Sequence, residues 1–137
     1  MLSIVNPTYR VFVDASFYVV KELKDRVYSI VVYGSVARGE YTKDSDIDIL
    51  VIGENKADWE RVSRIAYEID YENGFRTFIT TMFLTKDEFE YRLKAGDQFL
   101  YNVLKGDLVF VFEHYAFLKE ALKHCKNNSG TDEENRG

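Results

Sequence analysis

Polar and apolar positions change rhythm several times along this chain. After Asn6-Pro7, a helix cap followed by a residue suited to a first turn, Phe12, Ser16, Val19, Val20 and Leu23 recur at helical spacing. They predict a helix lying on a sheet, with Lys21, Glu22, Lys24, Asp25 and Arg26 as its solvated end. Val27 to Tyr33 is an apolar run with the length of a buried strand. Gly34 interrupts it, Ser35 to Gly39 fits a short helical turn capped by Ser35, and Glu40 to Ser45 fits an exposed loop. Asp46 to Ile52, ended by Gly53, predicts a second strand. Its acid–apolar alternation puts Asp46 and Asp48 on one face and Ile47 and Ile49 on the other.

The same rhythms continue downstream. Ala57 to about Tyr71 predicts a helix with Trp59, Val62, Ile65, Ala66 and Ile69 inward, an acidic end at Glu68, Asp70 and Glu72, and a stop at Asn73-Gly74. Arg76 to Leu84, rich in Thr, Phe and Ile, predicts a third strand. Thr85-Lys86-Asp87-Glu88 is a capping box that opens a helix running to about Ala95. Gly96 breaks it, and Gln98 to Lys105 resumes the pattern up to Gly106. Leu108 to Phe112 reads as a fourth strand. Glu113 to about Lys126 reads as a last helix with Phe117, Leu118, Ala121 and Leu122 inward. The polar segment 127–137 has no apolar residue and reads as a disordered tail, leaving 1–126 as one domain.

Composition narrows the class. A chain of 137 residues with 46% hydrophobic content can bury a sizeable core. A net charge of −5 disfavours nucleic acid as a partner, since broad binding needs a basic face. The single cysteine, Cys125, cannot form an internal disulfide and suits a reducing cytoplasm. The start of the chain lacks the features of a signal peptide, and no apolar run approaches the ~20 residues of a membrane span. His114 and His124 are single and unclustered.

The chemistry concentrates between Tyr33 and Val51. Two carboxylates on one strand face, Asp46 and Asp48, suit a hard divalent cation, because no Cys or His lies nearby. Gly34 allows a tight turn and close approach of a ligand to the backbone, and the Ser35 hydroxyl can meet a phosphate. A phosphate cradle beside a metal-binding acid pair is the equipment of phosphoryl or nucleotidyl transfer.

Gly34-Ser35, ten residues, then Asp46-x-Asp48 resembles the signature of the polymerase-β-like nucleotidyltransferase superfamily. Ala37-Arg38-Gly39-Glu40 and Ser45-Asp46-Ile47-Asp48 bring it closer to the minimal nucleotidyltransferases (MNT). The resemblance implies an α/β (α+β) fold, a small mixed sheet with helices chiefly on one face. It implies Asp46 and Asp48 as catalytic metal ligands for two Mg²⁺. Gly34, Ser35 and Arg38 become nucleotide contacts, and Lys43 is left as an exposed loop residue. The implied reaction transfers a nucleoside monophosphate, AMP from ATP, to a hydroxyl. The implied partner is a HEPN-domain protein of a toxin–antitoxin pair. The short chain favours such a macromolecular partner or a homo-oligomer.

The family also carries a third carboxylate on the neighbouring strand. Here no Asp or Glu lies between Gly74 and Lys86, and Phe78 falls near the acid's usual position. Thr77, Thr80 and Thr81 are weak substitutes. Glu40, Asp44 or an acid of the 68–72 cluster are candidates to approach from outside the strand, and a partner protein is another source. The alternative reading is a catalytically degenerate protein that binds a nucleotide or a partner without turnover.

Overall fold

The computed structural model describes residues 7–40, 46–76, 78–114 and 117–123. The expected Asn6 cap, the Phe12 side chain, Lys43, Asp44, Thr77, His124, Cys125 and the 127–137 tail lie outside what is described. The elements are α1 (Pro7–Leu23), a 3-10 turn (Lys24–Arg26), β1 (Val27–Tyr33), α2 (Gly34–Arg38), β2 (Ile47–Gly53), α3 (Asp58–Glu72), β3 (Ile79–Thr85), α4 (Lys86–Lys94), α5 (Gln98–Lys105) and β4 (Val109–Glu113). Residues 117–123 are helical.

Four strands form one mixed sheet in the order β3-β2-β1-β4. β1 runs antiparallel to β2 and to β4, and β2 runs parallel to β3. β1 and β2, whose residues are almost all buried, occupy the centre. Val27, Ile30, Val32, Ile47, Ile49 and Val51 pack one face against α1 and α3, through Val11, Ala15, Val19, Val62, Ile65 and Ile69. Val31, Leu50, Ile52 and Leu84 pack the other face against Phe89, Leu100, Leu104 and Leu118. The expectation of helices chiefly on one face holds for the two long ones, α1 and α3. The shorter α4, α5 and 117–123 cover the second face, so the central strands are buried on both sides and read as nearly continuous apolar runs. No helix among the described residues is long and apolar enough to cross a membrane.

Several local expectations change. Trp59 is not a core anchor: it is 46% exposed, with the Lys56 ammonium 5.1 Å from its ring centre. The inward position at this end of α3 belongs to Asp58, whose two oxygens accept from the Arg26 guanidinium at 3.0 and 3.2 Å. That pairing makes a buried carboxylate tolerable. Arg26 stays partly exposed, as expected of a solvated end, while pairing with Asp58. β3 starts at Ile79, not Arg76, because Gly74 and Phe75 both turn through positive φ (67° and 55°) and use up the residues before it. Glu113 belongs to β4, not to the last helix, and the His114 N–H donates to the Tyr28 carbonyl at 2.7 Å, carrying the pairing one residue further. The capping box is as read: Thr85 accepts from the Glu88 N–H, and Glu88 accepts from the Thr85 N–H, each at 3.1 Å.

Candidate active site

The site is built where β1 ends and β2 begins, at neighbouring points of antiparallel strands. Tyr33 is the cross-strand partner of Asp48. The chain turns immediately after it at Gly34, with φ +76°. A Cβ at Gly34 would stand 2.5 Å from Asp48 Oδ2. Glycine is favoured by the left-handed backbone, and any larger residue would also have to displace the Asp48 carboxylate. Ser35 is not the cap of α2 as expected. The helix starts one residue earlier, Tyr33 holds the cap position, and no side chain accepts a bond there. The Ser35 hydroxyl is therefore not spent on capping.

Asp46 is exposed just before β2, while Asp48 is partly buried on the strand. Burial, then the charge of Asp46, pushes the Asp48 carboxyl above its ordinary pKa, and the charge of Arg38 partly offsets them. Burial, then Asp48, likewise raises the Tyr33 phenol. Arg38 itself is held at the surface, its Nε 3.0 Å from Glu40 Oε2. Among the predicted residues, then, Gly34 and Asp48 touch, Ser35 follows directly, and Asp46 and Arg38 act on Asp48 through their charges.

On the other side of Asp48, its parallel partner on β3 is Thr80. The first paired residues of the two strands are Ile47 and Ile79, so Asp46 and Phe78 stand side by side one step earlier. Phe78 is 54% exposed and stacks on Phe75 with ring centres 6.0 Å apart. No acid occupies β3, as the sequence indicates. The chemistry of the donor set still fits a hard divalent cation: two mutually repelling carboxylates, one half-shielded, with no soft ligand beside them. Among the described residues no group of three or more His, Cys, Asp or Glu side chains gathers tightly enough to hold a metal by itself. A cation here needs further oxygens from phosphate or water, which is the habit of Mg²⁺.

One acid of the 68–72 cluster does reach this edge. Asp70 is 5% exposed, and its Oδ2 accepts from the Ile79 N–H at 3.0 Å. Burial raises its carboxyl pKa, the Ile79 N–H lowers it, and the Asp46 charge raises it, with a net upward shift. The sequence held a signal for it. Asp58, Val62, Ala66 and Asp70 recur every four residues and all are buried, so one helical stripe carries an acid at each end.

Residues 18–105 match the family model of the nucleotidyltransferase domain, and this chain belongs to that family. The matched stretch covers well over half of the chain and contains both Gly34-Ser35 and Asp46-x-Asp48. A curated relative from Methanocaldococcus jannaschii, provisionally named as a protein adenylyltransferase, is 47% identical over 36 residues. That match spans 26% of this chain and 36% of the relative. Two solved structures share the fold. One is a toxin–antitoxin with AMP-PNP, with a TM-score of 0.55 and 14% identity over 90% of this chain and 91% of that one. The other is a tri-AMPylated Shewanella oneidensis HEPN toxin in complex with MNT antitoxin. Its TM-score is 0.51, with 12% identity over 93% and 91% of the two chains.

Proposed function

We propose that this protein is a divalent-metal-dependent nucleotidyltransferase that transfers AMP from ATP to a hydroxyl group of a HEPN-domain partner protein. The observation that carries this reading is the contact between the β1–α2 turn and Asp48. A glycine in the left-handed region brings the phosphate cradle close against a carboxylate that ionises reluctantly without a cation. Family membership and the fold shared with MNT antitoxins support it.

In this reading Asp46 and Asp48 would hold Mg²⁺, which would supply neutralisation of the triphosphate charge and make the attacking hydroxyl more acidic. The Gly34 backbone and the Ser35 hydroxyl contact the β- and γ-phosphates. The exposed Arg38 guanidinium, already close enough to act on Asp48, leaves Glu40 to add a charged hydrogen bond to phosphate. The acceptor hydroxyl gives up its proton to water, its oxygen forms a bond to the α-phosphorus, the bridge to the β-phosphate breaks, and pyrophosphate leaves with that electron pair. In-line displacement puts the acceptor opposite the leaving group. With pyrophosphate over β1, the acceptor comes in over β3, where the exposed Phe75–Phe78 stack offers an apolar platform for a protein segment.

The acid-free β3 favours a second reading, a degenerate member that binds nucleotide without transfer. Label transfer separates the two. The protein is incubated with Mg²⁺, a co-expressed HEPN-domain protein and ATP labelled on either the α- or the γ-phosphate. Nucleotidyl transfer predicts protein-bound label from the α-position only. Label from the γ-position would indicate a kinase-type reaction, and label from neither would leave the binding reading.

A further inference from the structure

The acid missing from β3 has a counterpart on α3. The peptide joining Phe78 to Ile79 is gripped at both ends. Its N–H donates to Asp70 Oδ2 at 3.0 Å, and its carbonyl accepts from the Ile47 N–H at 2.8 Å. Ile47 lies between Asp46 and Asp48, so Asp70 is joined to the acid strand through one polarised peptide. The other oxygen, Asp70 Oδ1, is shut off from solvent and has no hydrogen-bond partner among the described residues. Among the described residues no ion pair reaches Asp70 either. A buried polar atom left in that condition keeps its full desolvation penalty, which is larger when it is charged. The clamp on Ile79 alone does not account for a carboxylate, since an asparagine carbonyl would accept the same bond.

We propose that Asp70 is a positioning residue that supplies, from α3, the third negative charge of the cation site, in place of the acid that β3 lacks. It acts through the 78–79 peptide, which fixes the strand starts bearing Asp46 and Phe78, and through its own field on a cation held by Asp46 and Asp48. It is not itself a ligand, since its oxygens face the interior. The inference rests on the reading of Asp46 and Asp48 as cation ligands.

Charge and scaffolding give different signatures. Asp70→Asn keeps an acceptor for Ile79 but removes the charge. It should raise the Mg²⁺ concentration needed for half-maximal ATP binding about tenfold. Metal-free ATP binding should stay the same or tighten, because one charge repelling the triphosphate is gone. A purely structural role predicts that both titrations move together, or that neither moves, and either result would overturn the proposal.

A measurement on the wild-type protein covers the case in which the variant does not fold. With isotope-labelled aspartate, Mn²⁺ and ATP should broaden the carboxyl resonances of Asp46, Asp48 and Asp70. Asp58, twelve residues from Asp70 and about 18 Å away along α3, should stay sharp. A sharp Asp70 beside broadened Asp46 and Asp48 would remove Asp70 from the site. If all four stay sharp, the cation site itself is wrong, and this inference falls with it.

Discussion

Asp48 is held in a place that does not suit its charge. Burial and Asp46 raise its pKa, and the compensation from Arg38 is only partial. A carboxyl raised in the folded chain stabilises the fold below the ordinary carboxylate range, and that contribution is lost as pH rises through the folded value. The metal-free protein is therefore penalised at neutral pH. Asp48→Asn should melt a few degrees higher than wild type at neutral pH, and the gain should vanish in acid, where both side chains are neutral. Calorimetric melting across pH checks this, and a gain that persisted in acid would count against it. The double variant Asp46→Asn with Asp48→Asn should lose Mg²⁺-dependent ATP binding while keeping its circular dichroism. Unchanged binding would remove these two residues from the site. Of the proposed site residues, the acid pair and Gly34 stand out in the sequence because the chemistry proposed for them is local. Asp70 was one acid among three at a helix end, and only its place on the stripe with Val62 and Ala66 distinguishes it.

At the level of elements, the turn from β1 into α2 and the turn from β3 into α4 make a useful contrast. Gly34→Ala places a methyl group against Asp48 Oδ2 and forces an alanine to φ +76°. The backbone strain alone is about 1–2 kcal/mol. Denaturant unfolding should show that loss, and ATP titration should show weakened Mg²⁺-dependent binding as well. Thr85→Ala removes the cap on α4, which should cost about 1 kcal/mol. Its effect on nucleotide binding should be nil, because Thr85 lies at the far end of β3 from the site. If Thr85→Ala impaired ATP binding as much as Gly34→Ala did, the site would be more spread out than described. The capping box could be read from Thr85 and Glu88 alone, since both bonds are made within one turn. Trp59 could not be placed that way. Its exposure depends on Arg26 drawing Asp58 inward from 32 residues away in sequence. The late start of β3 turns on Phe75 adopting a conformation that propensity disfavours.

At the scale of the whole molecule, the sheet order brings the pieces of the site together. β2 lies between β1, which delivers Gly34 and Ser35, and β3, whose start is clamped by Asp70. Hydrophobic periodicity located the strands but held no information on their order. The topology came from the resemblance carried by Gly34-Ser35 and Asp46-x-Asp48. In the proposed function, this edge binds a nucleoside triphosphate through a divalent cation. Isothermal calorimetry of the wild-type protein with ATP, with Mg²⁺ and with the metal removed by chelation, tests it without any acceptor. A site of this kind should give saturable binding with Mg²⁺ and much weaker binding without it. Equal binding in both conditions, or none in either, would contradict it.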